Sequence, residues 1–396
     1  MKIAVIAPTH LPAQRANTIQ VMKMTQALAE TGQQVRLAVP GLPPNKQPVP
    51  WDELARQYGL RLAFPVEWLP AKPAWRSYDF GYRSIAWARR WQADLVYTRL
   101  PQAAALSSWL GIPAIYEIHD FPQGRLGPWA LRLFLKGRGA RRLVVITRAL
   151  LKDLQQTFAL PASPAFTRVA PDGVDLERFS DLPAPEQARQ EIAQTPPNDM
   201  ATILKPADLQ TLKSARFVAG YTGHLYPGRG ASLLLELAEK LPEMVFMLVG
   251  GEAQDVQRFG AKIRQGRLDN VILTGFVPNS QLPRYQAACD VLLMPYQQRV
   301  AASSGGDIAR YLSPMKAFEY MAAGRPILSS DLPVLREILS PQNALLLPPQ
   351  DKGAWAAALE TLQTYPERGR RLAERARQDV RHYSWKRRAE KILEGL

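Results

Sequence analysis

The chain has 396 residues, 46% of them hydrophobic and 21% charged, with one cysteine and a formal net charge of +15 at pH 7. This length accommodates two ordinary domains with separate cores, and these proportions exclude a disordered or fibrous chain. The lone Cys289 excludes an internal disulfide framework and fits a reducing compartment, and no apolar run approaches the length of a membrane span.

The positive excess calls for an anionic partner, whether nucleic acid, anionic lipid or a phosphorylated small molecule. No zinc-finger spacing, RNA-binding strand motif or basic zipper occurs, so no nucleic-acid partner is expected. Lys2-Ile3-Ala4-Val5-Ile6-Ala7-Pro8 is shaped like a first strand, not a signal peptide, which predicts a cytoplasmic protein. A loop over Thr9–Thr18 follows, then a helix over Ile19–Glu30 closed by Thr31-Gly32, and a strand over Val35–Val39. This is a β-α-β unit of a parallel sheet, and its first loop lacks the G-x-G-x-x-G of ordinary NAD binding. Residues 40–80 are rich in proline and aromatics and suggest no element. A helix over Ser77–Gln92 carries Tyr78, Tyr82, Trp87 and Trp91, which suit either core packing or an acceptor-facing surface.

Strands over Asp94–Thr98 and Ala114–Ile118 flank a helix over Pro101–Leu110. The second strand delivers His119 at its carboxyl end, where ligands bind in such sheets, although a satisfied structural histidine also fits. Between Arg125 and Lys152 there are eight Lys/Arg residues and no Asp or Glu. Leu126, Trp129, Leu133 and Phe134 alternate there with Arg132, Lys136, Arg138, Arg141 and Arg142. The mixture suits a helix on an anionic membrane surface or a plain solvated face. A strand over Leu143–Thr147 and another over Val169–Asp175 follow, the latter ending in an Asp172-Gly173 turn. Over residues 181–214 prolines recur (Pro183, Pro185, Pro196, Pro197, Pro206) and periodicity weakens, as at a domain boundary.

The second half begins again with a strand over Arg216–Thr222, the loop Gly223–Gly230 and an apolar helix over Ala231–Lys240. Small residues, Arg229 and the helix N-terminus offer an anion site there. Strands follow over Val245–Gly251, Val271–Gly275 and Asp290–Met294, with Cys289 expected as a buried structural thiol. Ser313–Ile327 reads as one helix marked at both ends, with Ser313 as cap, Pro314 at the first helical position and Gly324 in the closing left-handed turn. Lys316 is out of place in the first turn, where the helix dipole disfavours cations, unless a phosphate binds beside it. Glu319, three residues on, projects from nearly the same face and can accept hydrogen bonds from a sugar diol. A capped helix with a solvated lysine and glutamate is the alternative. The expected architecture is α/β, two Rossmann-like doubly wound parallel-sheet domains facing across a cleft. The boundaries read as 1–180, a linker or insertion over 181–214, 215–375, and a helix over 376–396 packing back on the first domain.

Val169-Ala170-Pro171-Asp172-Gly173-Val174-Asp175 with Arg178-Phe179 resembles the end of the first domain in family 4 glycosyltransferases of the GT-B fold. Gly223 to Gly230, Gly250-Gly251, Thr274-Gly275-Phe276-Val277 and Pro314 to Ser330 follow in that family's order and at similar distances. The resemblance implies a retaining, metal-independent transfer from a nucleotide-diphosphate sugar to an acceptor hydroxyl, with no cofactor, in polysaccharide or glycolipid synthesis of the cell envelope. By the same resemblance Glu319 holds the ribose hydroxyls, Arg229 grips the diphosphate and His119 lies near the transferred sugar. Val277 meets the nucleobase through its backbone. Gly223, His224 and Gly251 line the donor, and Ser313, Pro314, Met315 and Lys316 receive the distal phosphate. Asn17 and Thr18 fall on the acceptor side. The chain departs from the family at Tyr311, where many relatives carry a glutamate, and at His224, where others carry an arginine. The expected partners are a nucleotide sugar, a carbohydrate or lipid-linked acceptor and, through 125–152, an anionic membrane surface. A non-catalytic nucleotide-sugar binder and a GT-B epimerase are the other readings. Donor binding without transfer would mark the first, and donor turnover without acceptor the second.

Overall fold

A computed structural model describes all residues except 42–46, 73–77, 162, 164, 195–203 and 302–305. The chain divides into two compact units, Met1–Gly173 with Trp385–Leu396, and Val174–Ser384. Ser77, the expected helix start, and Pro196 and Pro197 of the expected linker lie outside the described residues.

The first unit is built on seven strands: β1 (Lys2–Ile6), β2 (Gln34–Pro40), β3 (Val66–Leu69), β4 (Leu95–Thr98), β5 (Ala114–Ile118), β6 (Ala140–Val145) and β7 (Thr167–Val169). Their order is β3-β2-β1-β4-β5-β6-β7, every pairing parallel. Helices cover both faces of such a sheet, which is why its central strands are mostly apolar and are buried throughout. β3 lies in the stretch whose sequence suggests no element. Its residues Val66-Glu67-Trp68-Leu69 are too few to show a period, and the strand is held by its edge pairing with β2.

The second unit repeats the plan with six strands: β8 (Val218–Thr222), β9 (Val245–Val249), β10 (Val271–Gly275), β11 (Val291–Met294), β12 (Ile327–Ser330) and β13 (Leu345–Leu347). Their order is β10-β9-β8-β11-β12-β13, again all parallel. Cys289 is fully buried and burial pushes its thiol well up; Gly220 of β8 leaves the room its sulfur occupies, since a Cβ there would lie 2.1 Å from Sγ. Two helices, Pro185–Gln194 and Pro206–Ser214, occupy the described part of 181–214 and belong to this unit.

The C-terminal stretch is not one helix. Pro366–Asp379 and the short turn Val380–Tyr383 stay in the second unit, and the chain returns to the first only with the helix Trp385–Leu393. That helix is tied there by side chains of the sheet. Arg142, fully buried, donates to the carbonyls of Ile392 and, at 2.8 Å, Glu394, so it neutralises the helix's exposed carbonyl end. Arg142 therefore cannot serve the anionic surface expected over 125–152. Arg168 adds an ion pair with Glu394 at 3.1 Å.

Candidate active site

In an open parallel sheet, ligands bind beyond the carboxyl ends of the strands, at the point where strand order reverses. In the second unit that point lies between β8 and β11. The loop Gly223–Gly230 leaves β8, Gly250-Gly251 leaves β9, Val277 follows β10 and Tyr296 follows β11. Two of these glycines are required by geometry. Gly223 has φ +132° and a Cβ there would lie 2.9 Å from the Lys316 ammonium; at Gly250, φ is +120° and a Cβ would lie 2.4 Å from the Gly223 carbonyl oxygen. Gly251 is buried, with φ +99°.

Lys316 is buried, and its Nζ has no hydrogen-bond partner. The ammonium sits 3.8 Å from the Tyr221 ring centre and 5.3 Å from that of Tyr296. Arg229 reaches the same ring, its guanidinium 5.6 Å from the centre, and donates to the Tyr296 hydroxyl at 3.2 Å. Two cations thus share one aromatic wall, and Arg229 Nε is buried without a partner. Burial, then Arg229, hold the Lys316 amine well below its ordinary value, with Glu319 opposing them. His224 stacks on Tyr226 at 4.7 Å with its Nδ1 buried and without a partner, and burial lowers its pKa, so it is neutral at pH 7.

The helix carrying Lys316 runs Met315–Ala323. Its cap is Pro314 and contributes no side-chain hydrogen bond, so Ser313 stands one residue before the cap and Pro314 is not inside the helix. The expected helix start is therefore shifted by one residue, with Pro314 in the cap position, and the first turn has no acidic residue. Gly324 closes the helix at φ +63°, as expected.

Glu319 accepts from Asn279 Nδ2 and Gln286 Nε2, each at 3.3 Å. Arg178 donates to Asn279 Oδ1 at 2.7 Å and also to its carbonyl oxygen. Gln286 also donates to Thr222 at 3.2 Å. Neutral amides orient the carboxylate through these hydrogen bonds. Val277 is buried two residues before Asn279.

In the first unit, His119 follows β5 and bonds through Nε2 to Glu117, which is fully buried. Burial works to raise the Glu117 carboxyl, but Arg388 and His119 outweigh it and hold it at about 2. The carboxylate therefore accepts the Nε2 proton and leaves Nδ1 unprotonated. Burial, then Arg99, lower His119 to about 4 against the pull of Glu117. Arg388, from the last helix, pairs with Glu117 at 3.1 Å and donates to the carbonyls of Pro171 and Ala170 at 2.8 and 3.1 Å. Gln20 joins the cluster, donating to Glu117 at 2.7 Å and accepting from Arg99 at 2.8 Å. Thr18 is buried and bonded to Thr9 at 2.5 Å and to Asn17 at 3.1 Å, while Asn17 is exposed. The helix there begins at Ala16, not Ile19.

The structure thus gathers Gly223, His224, Arg229, Lys316 and Glu319 in one unit and places His119, Asn17 and Thr18 in the other. Sequence reasoning missed Tyr221, Tyr296, Asn279 and Gln286 around the cations and carboxylate, and Glu117, Arg99 and Arg388 around His119. Glu117 had a readable signal, a carboxylate inside the apolar strand Ala114-Ile115-Tyr116-Glu117-Ile118.

Two doubly wound parallel sheets in series, with a cationic loop at the switch point of the second, define the GT-B class of glycosyltransferase. A family model described as "Glycosyltransferase Family 4" matches residues 18–178, and one described as "Glycosyl transferases group 1" matches residues 216–364. The chain belongs to the family 4 glycosyltransferases. It is 25% identical to the 2-deoxystreptamine glucosyltransferase of Streptomyces kanamyceticus, over 78% of this chain and 79% of that one. It is 23% identical to the phosphatidyl-myo-inositol mannosyltransferase of Mycobacterium leprae, over 97% of this chain and 93% of that one. Anabaena HepE, solved in complex with UDP, superposes with a TM-score of 0.72 at 18% identity, covering 100% of this chain and 99% of that one.

Proposed function

We propose that this glycosyltransferase moves a sugar from a nucleoside-diphosphate donor to an acceptor hydroxyl with retention of configuration, and that it needs neither metal ion nor other cofactor. The observation that carries this reading is the buried Lys316 amine without a hydrogen-bond partner, set beside Arg229 in the first turn of the helix Met315–Ala323. Burial and the neighbouring Arg229 disfavour charge on this amine, and a diphosphate is the ligand whose charge would offset both.

In the reaction the bond from the anomeric carbon to the diphosphate oxygen breaks and a bond to the acceptor oxygen forms on the same face. The acceptor proton passes to the departing phosphate oxygen, giving a glycoside and a nucleoside diphosphate. Arg229, Lys316 and the backbone N–H groups of Ser313, Met315 and His224 would stabilise the charge that builds on the leaving group, each such donor contributing about 3 kcal/mol. Glu319, oriented by Asn279 and Gln286, would accept from the ribose hydroxyls, and the backbone near Val277 and Gly251 would bound the nucleoside. His119, neutral and fixed by Glu117, would lie against the transferred sugar. Metal independence draws support from these two cations and from the side chains: among the described residues no three of His, Cys, Asp and Glu are grouped to hold an ion.

The acceptor is a carbohydrate or a lipid-linked molecule, in envelope polysaccharide or glycolipid synthesis, and the enzyme works in the cytoplasm, peripherally on an anionic membrane face through 125–152. Among the described residues no helix is long and apolar enough to cross a membrane.

A thermal-shift screen with UDP-, GDP- and ADP-sugars tests the donor, with UDP first because HepE was solved with it. Glu319→Ala and Arg229→Ala should each cut transfer by about a hundredfold or more while melting as the wild type does. Full turnover in either variant removes that residue from the site. Proton NMR of the product reads the anomer, and turnover that collapses in EDTA ends the metal-independent reading.

A further inference from the structure

Beside His119 the first unit holds a cavity of about 670 Å³, within the size range of small-molecule sites. Part of its lining is polar, with Arg99, Glu117 and His119 at the carboxyl ends of β4 and β5. Apart from these and Gln102, Asp120 and Gln123, its lining is mostly apolar. Ala105 and Leu106 come from the helix Pro101–Trp109, and Ala130 and Leu133 from the helix Leu126–Lys136. The rim carries large hydrophobic side chains left in water: Tyr82 is 69% exposed, Trp109 64% and Trp129 58%. Leu126, 55% exposed, lines the same cavity, and Leu110 follows Trp109 directly in the chain. The other exposed large hydrophobics among the described residues are Met1, Leu62, Tyr365 and Leu396, none of which lines the cavity. Exposed apolar side chains that line one preformed cavity mark a binding site, whereas scattered ones do not. Charge points the same way: Arg125, Arg132, Lys136, Arg138 and Arg141 surround this helix with no acid between 125 and 152.

We propose that this cavity binds the apolar chain of a lipid-linked acceptor and presents the attached hydroxyl-bearing headgroup at the Glu117–His119 end. The inference deepens the proposed glycosyl transfer by assigning the acceptor class. A free sugar has no use for the apolar throat, since it gains nothing from Leu106, Leu133 and the rim tryptophans. The basic flank suits an acceptor whose lipid carries an anionic group.

The test uses the full chain and a series of alkyl maltosides, each below its micellar concentration, with maltose as the headgroup control. Binding is read by calorimetry and by quenching of tryptophan fluorescence with a brominated dodecyl maltoside. Affinity should rise about tenfold for each two methylenes until the cavity is full, and maltose alone should not bind measurably. Ala130→Trp fills the throat and should weaken dodecyl maltoside at least tenfold; the paired change Trp109→Phe with Trp129→Phe should abolish the quenching even if Ala130→Trp fails to fold. Equal binding of maltose and dodecyl maltoside, or quenching that survives loss of both tryptophans, overturns the proposal. So does sedimentation with anionic vesicles in the absence of any chain-length dependence, which would make the patch a bilayer contact. The thermal shift by UDP reads the second unit separately. If UDP fails and the alkyl series succeeds, the donor reading falls and the cavity stands.

Discussion

Lys316 shows how one side chain can trade stability for a ligand. Its ammonium is buried among aromatic rings with Arg229 nearby, and burial alone disfavours its charge. Lys316→Met keeps the length and removes the charge. We expect it to raise the melting temperature, by the equivalent of about 1 kcal/mol, and to lower turnover about a hundredfold. Unchanged turnover would show that the amine serves only the fold. His119 titrates in a defined direction. A base whose folded pKa of about 4 lies below its ordinary 6.5 contributes stability that is complete above pH 6.5 and is lost as the pH falls through 4. Glu117, held at about 2, stays ionised across that window. The difference in unfolding free energy between the wild type and His119→Asn should therefore change by up to about 3 kcal/mol from pH 7 to pH 4. Urea titrations at several pH values check it, and a pH-independent difference rejects it. Lys316 was legible because a lysine in a first helical turn contradicts the dipole. Its ring partners were not, since Tyr221 and Tyr296 come from the ends of two other strands.

At the scale of elements, two strand-to-helix loops pass so closely that side chains are excluded between them. Gly250→Ala would put a methyl group 2.4 Å from the Gly223 carbonyl at a φ of +120°. It should cost roughly 1–3 kcal/mol and eliminate the nucleotide-induced thermal shift, because relief requires the Gly223 loop to move off Lys316. A normal UDP shift in a destabilised Gly250→Ala protein would separate the loop from donor binding. The basic segment divides in the same way. On the helix Leu126–Lys136 one face buries Leu131 and Phe134 while the other leaves Leu126 and Trp129 in water, and Arg142 beyond it turns inward. Periodicity shows that such a helix has two faces. It does not show that one arginine of the run is needed to hold a chain terminus.

For the whole molecule, the feature with the largest consequence is the return of Trp385–Leu396 to the first unit. Arg388 reaches Glu117 across 271 positions of sequence. Without it the carboxylate is left buried beside a neutral histidine, and Arg388→Met should destabilise the first unit by about 3–5 kcal/mol. The double variant Glu117→Gln with Arg388→Met should recover part of that loss, since both charges are then gone. Thermal melting with limited proteolysis of the first unit measures both; additive losses would show that the pair is not coupled.

Local chemistry in the sequence was enough to predict two parallel α/β domains, most of their strands, the helix with Lys316 and Glu319, and the histidine at a strand end. Those features repeat at short range, through apolar runs, capping residues and glycines at turns, and most elements outside residues 40–80 carry their own signal. Only the tertiary structure decided which groups meet. Asn279 and Gln286 on Glu319, the aromatic wall shared by Arg229 and Lys316, and the Arg388–Glu117 pair all join residues far apart in sequence. Buried polar groups must find partners wherever the fold brings them, and that requirement leaves no spacing rule in the chain.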